Sequence, residues 1–480
     1  MDYVYSNKRY KIYLEVLMLK FLVSFIFLTL SSSGLECEFS FDNGGKLENI
    51  KNLELPNVSA PKQSRESTKD ITLMVFMNAK NNLSESQLFG LVGKWASKDL
   101  DEMKKVGSTD KVNVVVEIGE KGKGSRRILV LKKSGFFSSG EKVYSEDKNA
   151  DMGDYKRVVD FVKWAKTNFP AKRYILVLWN HGLGWIDPDL SQHNAGTGTS
   201  KGVLFDDDTK NYVRTKQMGE MMKNAGYVDV VVFNACLMQM AEVAYEIKDY
   251  TSLIIGSEET MLAYGFDYDK FINFLNSNVN FSKKEISDFF INWEKEFFKN
   301  GIDLGPINVP LESITATLSA IEPGELKNLP QYLNYFASNV MNNKEEEAVK
   351  KAIPSVIRFT SIADPAKDKE KKIAPYVDLY DFARVIMENA KEESTKESAR
   401  LLMGFIKNKL VISSVGLNKD TTNNYDYSMV GGVSINMTMK IKPVPPQFDS
   451  ILETKYNELS LSRDSYWDEF VKWTDEVWAK

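Results

Sequence analysis

Residue types able to serve as nucleophile and base at neutral pH are scarce here: 480 residues contain two histidines and two cysteines. One of each directly follows a short β-branched and aromatic run. His181 comes after Arg173-Tyr-Ile-Leu-Val-Leu-Trp-Asn180, and Cys236 after Val228-Asp-Val-Val-Val-Phe-Asn-Ala235. Such runs predict strands buried on both faces. A thiol and an imidazole at strand ends can form a covalent catalytic pair, in which cysteine attacks a carbonyl and histidine moves the proton. Taken singly, a buried cysteine is more often a small core hydrophobe and a lone histidine a satisfied polar residue, so the assignment rests on the pairing. His193 lies in a polar loop with no strand before it and is read as solvent-exposed. Both thiols are expected free, because a bridge from Cys37 would cap the nucleophile.

The positioning elements follow from periodicity. Ile71–Met77, Lys111–Ile118, Arg126–Leu131 and Ser252–Gly256 are predicted strands. Helices are predicted over 84–106, where Leu88, Leu91, Val92, Trp95, Leu100 and Met103 recur at helical spacing, and over 153–168, 214–225 and 237–249. Strands alternating with helices predict an α/β fold, a mostly parallel sheet flanked by helices on both faces. Ligands bind beyond the carboxyl ends of such strands, where His181 and Cys236 fall. A helix starting at Leu237 would add its positive N-terminal end to favour thiolate. Beyond Gly265 longer amphipathic helices dominate, over 283–299, 378–390 and 465–478, with strands at 311–321 and 428–439. This C-terminal α+β extension, 266–480, is expected to buttress the catalytic domain, 71–265.

Composition excludes other classes. With 43% hydrophobic and 27% charged residues and a net charge of −4, the composition argues for neither a nucleic-acid-binding surface nor a disordered tail. At the N-terminus Lys8, Arg9, Lys11 and Lys20 flank the apolar Phe21–Leu30, and Ser31-Ser-Ser-Gly34 follows. Basic, apolar, then small is the order of a signal peptide, here 1–34, and initiation at Met18 would make it compact. The apolar run is shorter than the roughly 20 residues a membrane span needs, so no span remains after signal removal. The expected location is secreted or cell-surface/periplasmic. Glu36 disfavours lipid anchoring at Cys37, and the polar 35–70 reads as a linker or pro-segment.

Trp179-Asn-His-Gly-Leu-Gly-Trp185, Gly202-Val-Leu-Phe-Asp-Asp207, Phe233-Asn-Ala-Cys-Leu-Met-Gln-Met-Ala-Glu-Val-Ala-Tyr245, Gly256-Ser-Glu-Glu259 and Tyr264-Gly265 resemble the clostripain family of cysteine endopeptidases. Weaker similarity in Tyr376–Ala383 and Gly431–Asn436 extends it over most of 71–480. The resemblance implies a caspase-like fold, polypeptide substrates, a Cys236–His181 dyad and oxyanion donors in the backbone N–H groups of Gly182 and Cys236. The family commonly carries Asp two residues before the nucleophile, lining the pocket for Arg or Lys; here that residue is Asn234. An amide can hydrogen-bond a guanidinium but cannot neutralise it, which puts basic specificity in doubt. Glu258 and Glu259 are the candidates to return a carboxylate to that pocket. No cofactor is required, although some members use calcium, for which Asp206, Asp207 and Asp208 are weak candidates without EF-hand spacing. Members can mature by self-cleavage, and the small, polar loop 187–211 offers Lys201 as a processing site. The alternative is a catalytically silent caspase-like surface or binding protein, which Asn234 would suit.

Overall fold

The computed structural model describes residues 68–84, 86–88, 91–135, 138–189, 202–303, 308–359, 375–420, 423–438 and 452–480, all within one compact unit, 65–480. The expected signal peptide, Cys37, His193 and Lys201 lie outside the described residues.

The centre is a nine-stranded sheet. In chain order its strands are β1 (Lys69–Ala79), β2 (Val112–Glu120), β3 (Gly124–Val130), β4 (Glu141–Asp147), β5 (Ala171–Trp179), β6 (Val230–Asn234), β7 (Ile254–Gly256), β8 (Ala316–Ile321) and β9 (Val411–Leu417). Across the sheet they run β9-β8-β7-β6-β5-β1-β2-β3-β4. The five central strands, β2, β1, β5, β6 and β7, are parallel, and each flank is finished by two antiparallel strands. The run 126–131 was expected to join the parallel set. Only Lys121–Lys123 separate β2 from β3, too few residues for a crossover, so the pair closes as an antiparallel hairpin.

Alternation along the central strands fills two cores. Met74 and Phe76 of β1, Leu176 and Leu178 of β5, and Val231 and Phe233 of β6 face one side. There they meet α2 (Tyr155–Asn168), α3 (Thr215–Ala225) and α4 (Ala241–Ile247), with much of the C-terminal extension. Val75 and Met77, Val177 and Trp179, and Val230 and Val232 face the other side, against α1 (Trp95–Val106), α5 (Tyr268–Ser277) and α6 (Lys283–Asn300). The helix expected from residue 84 begins only at Trp95, and 86–88 pairs with 91–93 as a small hairpin. Gly90 and Gly93 are poor helix residues there.

The extension is continuous with the sheet, since β8 and β9 complete one edge. The strand expected over 428–439 shrinks to Ser434–Asn436. Gly431 and Gly432 break it, both turning their N–H groups onto Asp378 Oδ2, the cap of helix Leu379–Asn389. Ser434–Asn436 and Arg358–Phe359 sandwich Tyr376–Asp378 in a separate three-stranded sheet.

Candidate active site

Register brings the two strand ends together. Trp179 of β5 pairs with Asn234 of β6, so His181 and Cys236 each follow two residues beyond one shared level. A Cβ on Gly182 would collide with the Cys236 carbonyl oxygen and stand 2.8 Å from Met238 Cγ, so only glycine lets the two exits touch. Asn180 fixes where the histidine loop begins. Its buried amide donates to Phe205 O at 3.2 Å and accepts the Phe205 N–H at 3.1 Å. The imidazole Nε2 of half-buried His181 lies 2.8 Å from Asn82 Oδ1, in the short turn after β1. Sequence reasoning missed Asn82, because a polar residue in a turn carries no periodic signal.

Downstream the loop is held by the extension. The Tyr376 hydroxyl donates to Leu183 O at 2.5 Å and accepts the Ile186 N–H at 3.3 Å. Trp185 Nε1 donates to Asn436 Oδ1 at 3.2 Å. Asp187 then accepts the Thr215 N–H at the start of α3.

Around Cys236 the structure departs from expectation. The helix after the cysteine starts at Ala241 rather than Leu237. Leu237 has a φ of 61°, a left-handed conformation that cannot open a helix and that costs a leucine about 1–3 kcal/mol. Its N–H goes to Glu259 O at 3.1 Å, and Gln239 N–H to Ser257 O at 3.0 Å, so 237–240 runs alongside the 257–261 segment. The thiol therefore lacks a helix terminus. Met261 N–H donates to Cys236 Sγ at 3.2 Å. Burial pushes the half-buried thiol up to about 11, the Met261 N–H opposing and the Glu259 carboxylate adding to the rise.

Asn234 is buried on the α1/α5 face, where its amide donates to the Tyr268 hydroxyl at 3.1 Å. Glu258 is not brought to it. Burial, and then Asp378 beside it, lift the Glu258 carboxyl well above the usual range, and Asp378 itself stands at about 7. Two carboxyls so placed do not both ionise. Glu259 accepts from the Tyr427 hydroxyl at 2.6 Å and from Thr260 N–H at 2.7 Å, tying the 257–261 segment to the extension. Asp206 and Asp208 are bridged by buried Lys80, whose Nζ lies 3.1 and 3.4 Å from them, while Asp207 faces Lys121 at 3.5 Å. Among the described residues no group of three or more His, Cys, Asp or Glu is arranged to hold a metal ion.

Over residues 75–474 the chain matches the sequence profile of the clostripain family, the C11 peptidases. Clostripain from Hathewaya histolytica is 24% identical, covering 76% of this chain and 74% of the relative. A secreted C11 cysteine protease from Bacteroides thetaiotaomicron, solved with an irreversible peptide inhibitor, superposes with a TM-score of 0.54 at 19% identity, over 85% of this chain and 99% of that one. An inactive zymogen C11 protease from Parabacteroides distasonis gives 0.56 at 18%, over 83% and 99%. The shared architecture is the caspase-like one, a large, mostly parallel sheet between helices. The chain belongs to the clostripain family and is a cysteine peptidase.

Proposed function

We propose that this peptidase is a secreted endopeptidase in which Cys236 attacks the scissile carbonyl and His181 carries the proton. The observation that supports this best is the shared register of β5 and β6, which packs Gly182 against the Cys236 carbonyl. With Nε2 held by Asn82, proton transfer is assigned to Nδ1, which takes the thiol proton and delivers it to the leaving amine. Water then hydrolyses the thioester. The oxyanion falls to the N–H groups of Gly182 and Cys236; that of Leu237 is engaged by Glu259.

Burial pushes the resting thiol up in spite of the Met261 N–H that donates to it, which fits a form awaiting activation. We assign its release to cleavage within 187–211, near Lys201. Mass spectrometry of the wild type and Cys236→Ala incubated side by side tests this: a cut confined to the active form supports self-processing, and full activity in an uncut chain removes the requirement. Export rests on the basic, apolar, small-residue order of 1–34. Among the described residues no helix is long and apolar enough to cross a membrane.

The capped thiol is also what the silent alternative would show. An acyloxymethyl ketone peptide offered to protein cleaved within 187–211 separates the two, by labelling Cys236 in a peptidase and leaving a silent protein untouched. Cys236→Ala and His181→Ala should each abolish peptide hydrolysis with the fold intact. Activity surviving in Cys236→Ala would end the proposal.

A further inference from the structure

Beside Asn234 lies an ion cluster that no motif announces. Lys98 of α1 places its ammonium 2.8 Å from Glu102 Oε1, 3.3 Å from Asp99 Oδ1 and 3.1 Å from Tyr264 O, and 3.7 Å over the Tyr264 ring. Both carboxyls are buried, while Lys98 keeps 22% of its side chain exposed. Asp99 Oδ2 accepts the Trp179 Nε1–H at 2.7 Å, and Glu102 Oε2 accepts the Tyr268 N–H at 3.2 Å. This cluster borders the residue two before the nucleophile. A Cβ on Gly265 would stand 3.0 Å from Asn234 Nδ2 and 3.1 Å from Asp99 Oδ2, so the amide and the carboxyl flank one point.

Building on the proposed peptidase, we infer that Lys98 occupies the acid end of the specificity pocket and directs cleavage to bonds that follow an uncharged residue. An acidic pocket accepts Arg or Lys because charge-assisted hydrogen bonds offset the loss of hydration. Here those acceptors are already filled from within, by an ammonium with two carboxyls, a carbonyl and a ring around it. A substrate cation would meet like charge, with Asp99 and Glu102 already engaged by Lys98 and the neighbouring Asp267 paired with Lys270. Asn234 fits the same logic, since an aspartate there would set another carboxyl against Asp99. Burial lifts Asp99 to about 8 and raises Glu102 as well, with Lys98 opposing both rises, and the ammonium makes its shorter contact with Glu102. Burial pulls Lys98 down, but Asp99 and Glu102 more than offset it, and the ammonium stays charged.

The test uses matched fluorogenic peptides differing only at the residue before the scissile bond: Arg, Lys, Gln or Met. The wild type should favour Gln and Met. Lys98→Met and Lys98→Gln leave Glu102 without its cation and should raise the Arg-to-Gln ratio of kcat/KM by at least about tenfold, the scale of a filled against an unfilled polar site. Lys98→Arg should keep the wild-type ratio, and adding Glu102→Gln to Lys98→Met should abolish the gain. A purely structural tie would alter stability and leave the ratio alone. Wild-type preference for Arg or Lys overturns the inference, as does an unchanged ratio in a folded Lys98→Met. Should both neutral variants fail to fold, the wild-type profile still decides. Labelling of protein cleaved within 187–211 with an uncharged acyloxymethyl ketone keeps the two readings apart: no label on Cys236 defeats the peptidase and this inference together, whereas label with an unchanged ratio defeats only the pocket.

Discussion

Cys236 rests with its sulfur against the Met261 amide and its proton retained, because burial leaves thiolate little solvation. With the thiol near 11, the thiolate fraction rises tenfold per pH unit up to about that value. Iodoacetamide alkylation of the uncut protein should therefore still be accelerating at pH 10; a plateau near pH 8 would show that the resting thiol is already activated. Asn82 touches the imidazole, so under the proposed mechanism it acts through His181 as a positioning residue. Asn82→Ala should lower kcat about tenfold, below the 100-fold or more expected for losing the base itself, and shift the acid limb of the pH–rate profile. An unaltered profile would remove Asn82 from the positioning role.

At the scale of elements, the site is a contact between two loops rather than between strands. Gly182→Ala places a methyl group against Cys236 O, which must separate the loops, and kcat should fall about 100-fold or more if the proposed oxyanion donors move with them. Thermal stability close to wild type would attribute the loss to the site. Tyr376 reaches back from the extension to hold Leu183 and Ile186. Tyr376→Phe should cost about 1–3 kcal/mol, because it leaves a buried carbonyl and amide unpaired, and should lower activity together with the melting temperature. Loss of stability with activity intact would mean that the extension does not position the histidine loop.

For the whole molecule, buried acids set how stability responds to pH. Burial alone lifts Glu294 of α6 to about 8, beneath the aromatic cluster of Trp293, Phe297 and Phe298. Between an unfolded value of about 4.3 and the folded value near 8, the native state keeps a proton that the unfolded chain has lost, so stability falls as pH rises through this window. Glu294→Gln should flatten that fall and gain about 1–3 kcal/mol at pH 9, measured by urea unfolding at pH 5 and 9. An equal effect at both pH values would show that Glu294 does not titrate there. With Lys80 between Asp206 and Asp208, a chelator should leave peptide hydrolysis unchanged; loss restored by added calcium would overturn that.

The sequence by itself determined the parts whose signal is local. Apolar runs such as Val230–Phe233 mark strands buried on both faces, and one scarce histidine and one scarce cysteine beyond two such runs mark where chemistry can gather. Only tertiary structure decided what depends on partners distant in the chain. Leu237 takes a left-handed turn because Glu259 and Ser257 claim the N–H groups that a helix would have left unpaired, and no propensity scale shows that competition. Glu258 faces Asp378 rather than Asn234, since β7 ends against the extension. Lys98, Asp99 and Glu102 read as an ordinary charged face of α1 until the register of β5 and β6 sets Trp179 and Asn234 beside them. Periodicity records which face of an element is buried. Which charges meet there is fixed by residues far apart in the chain, and only the folded packing brings those together.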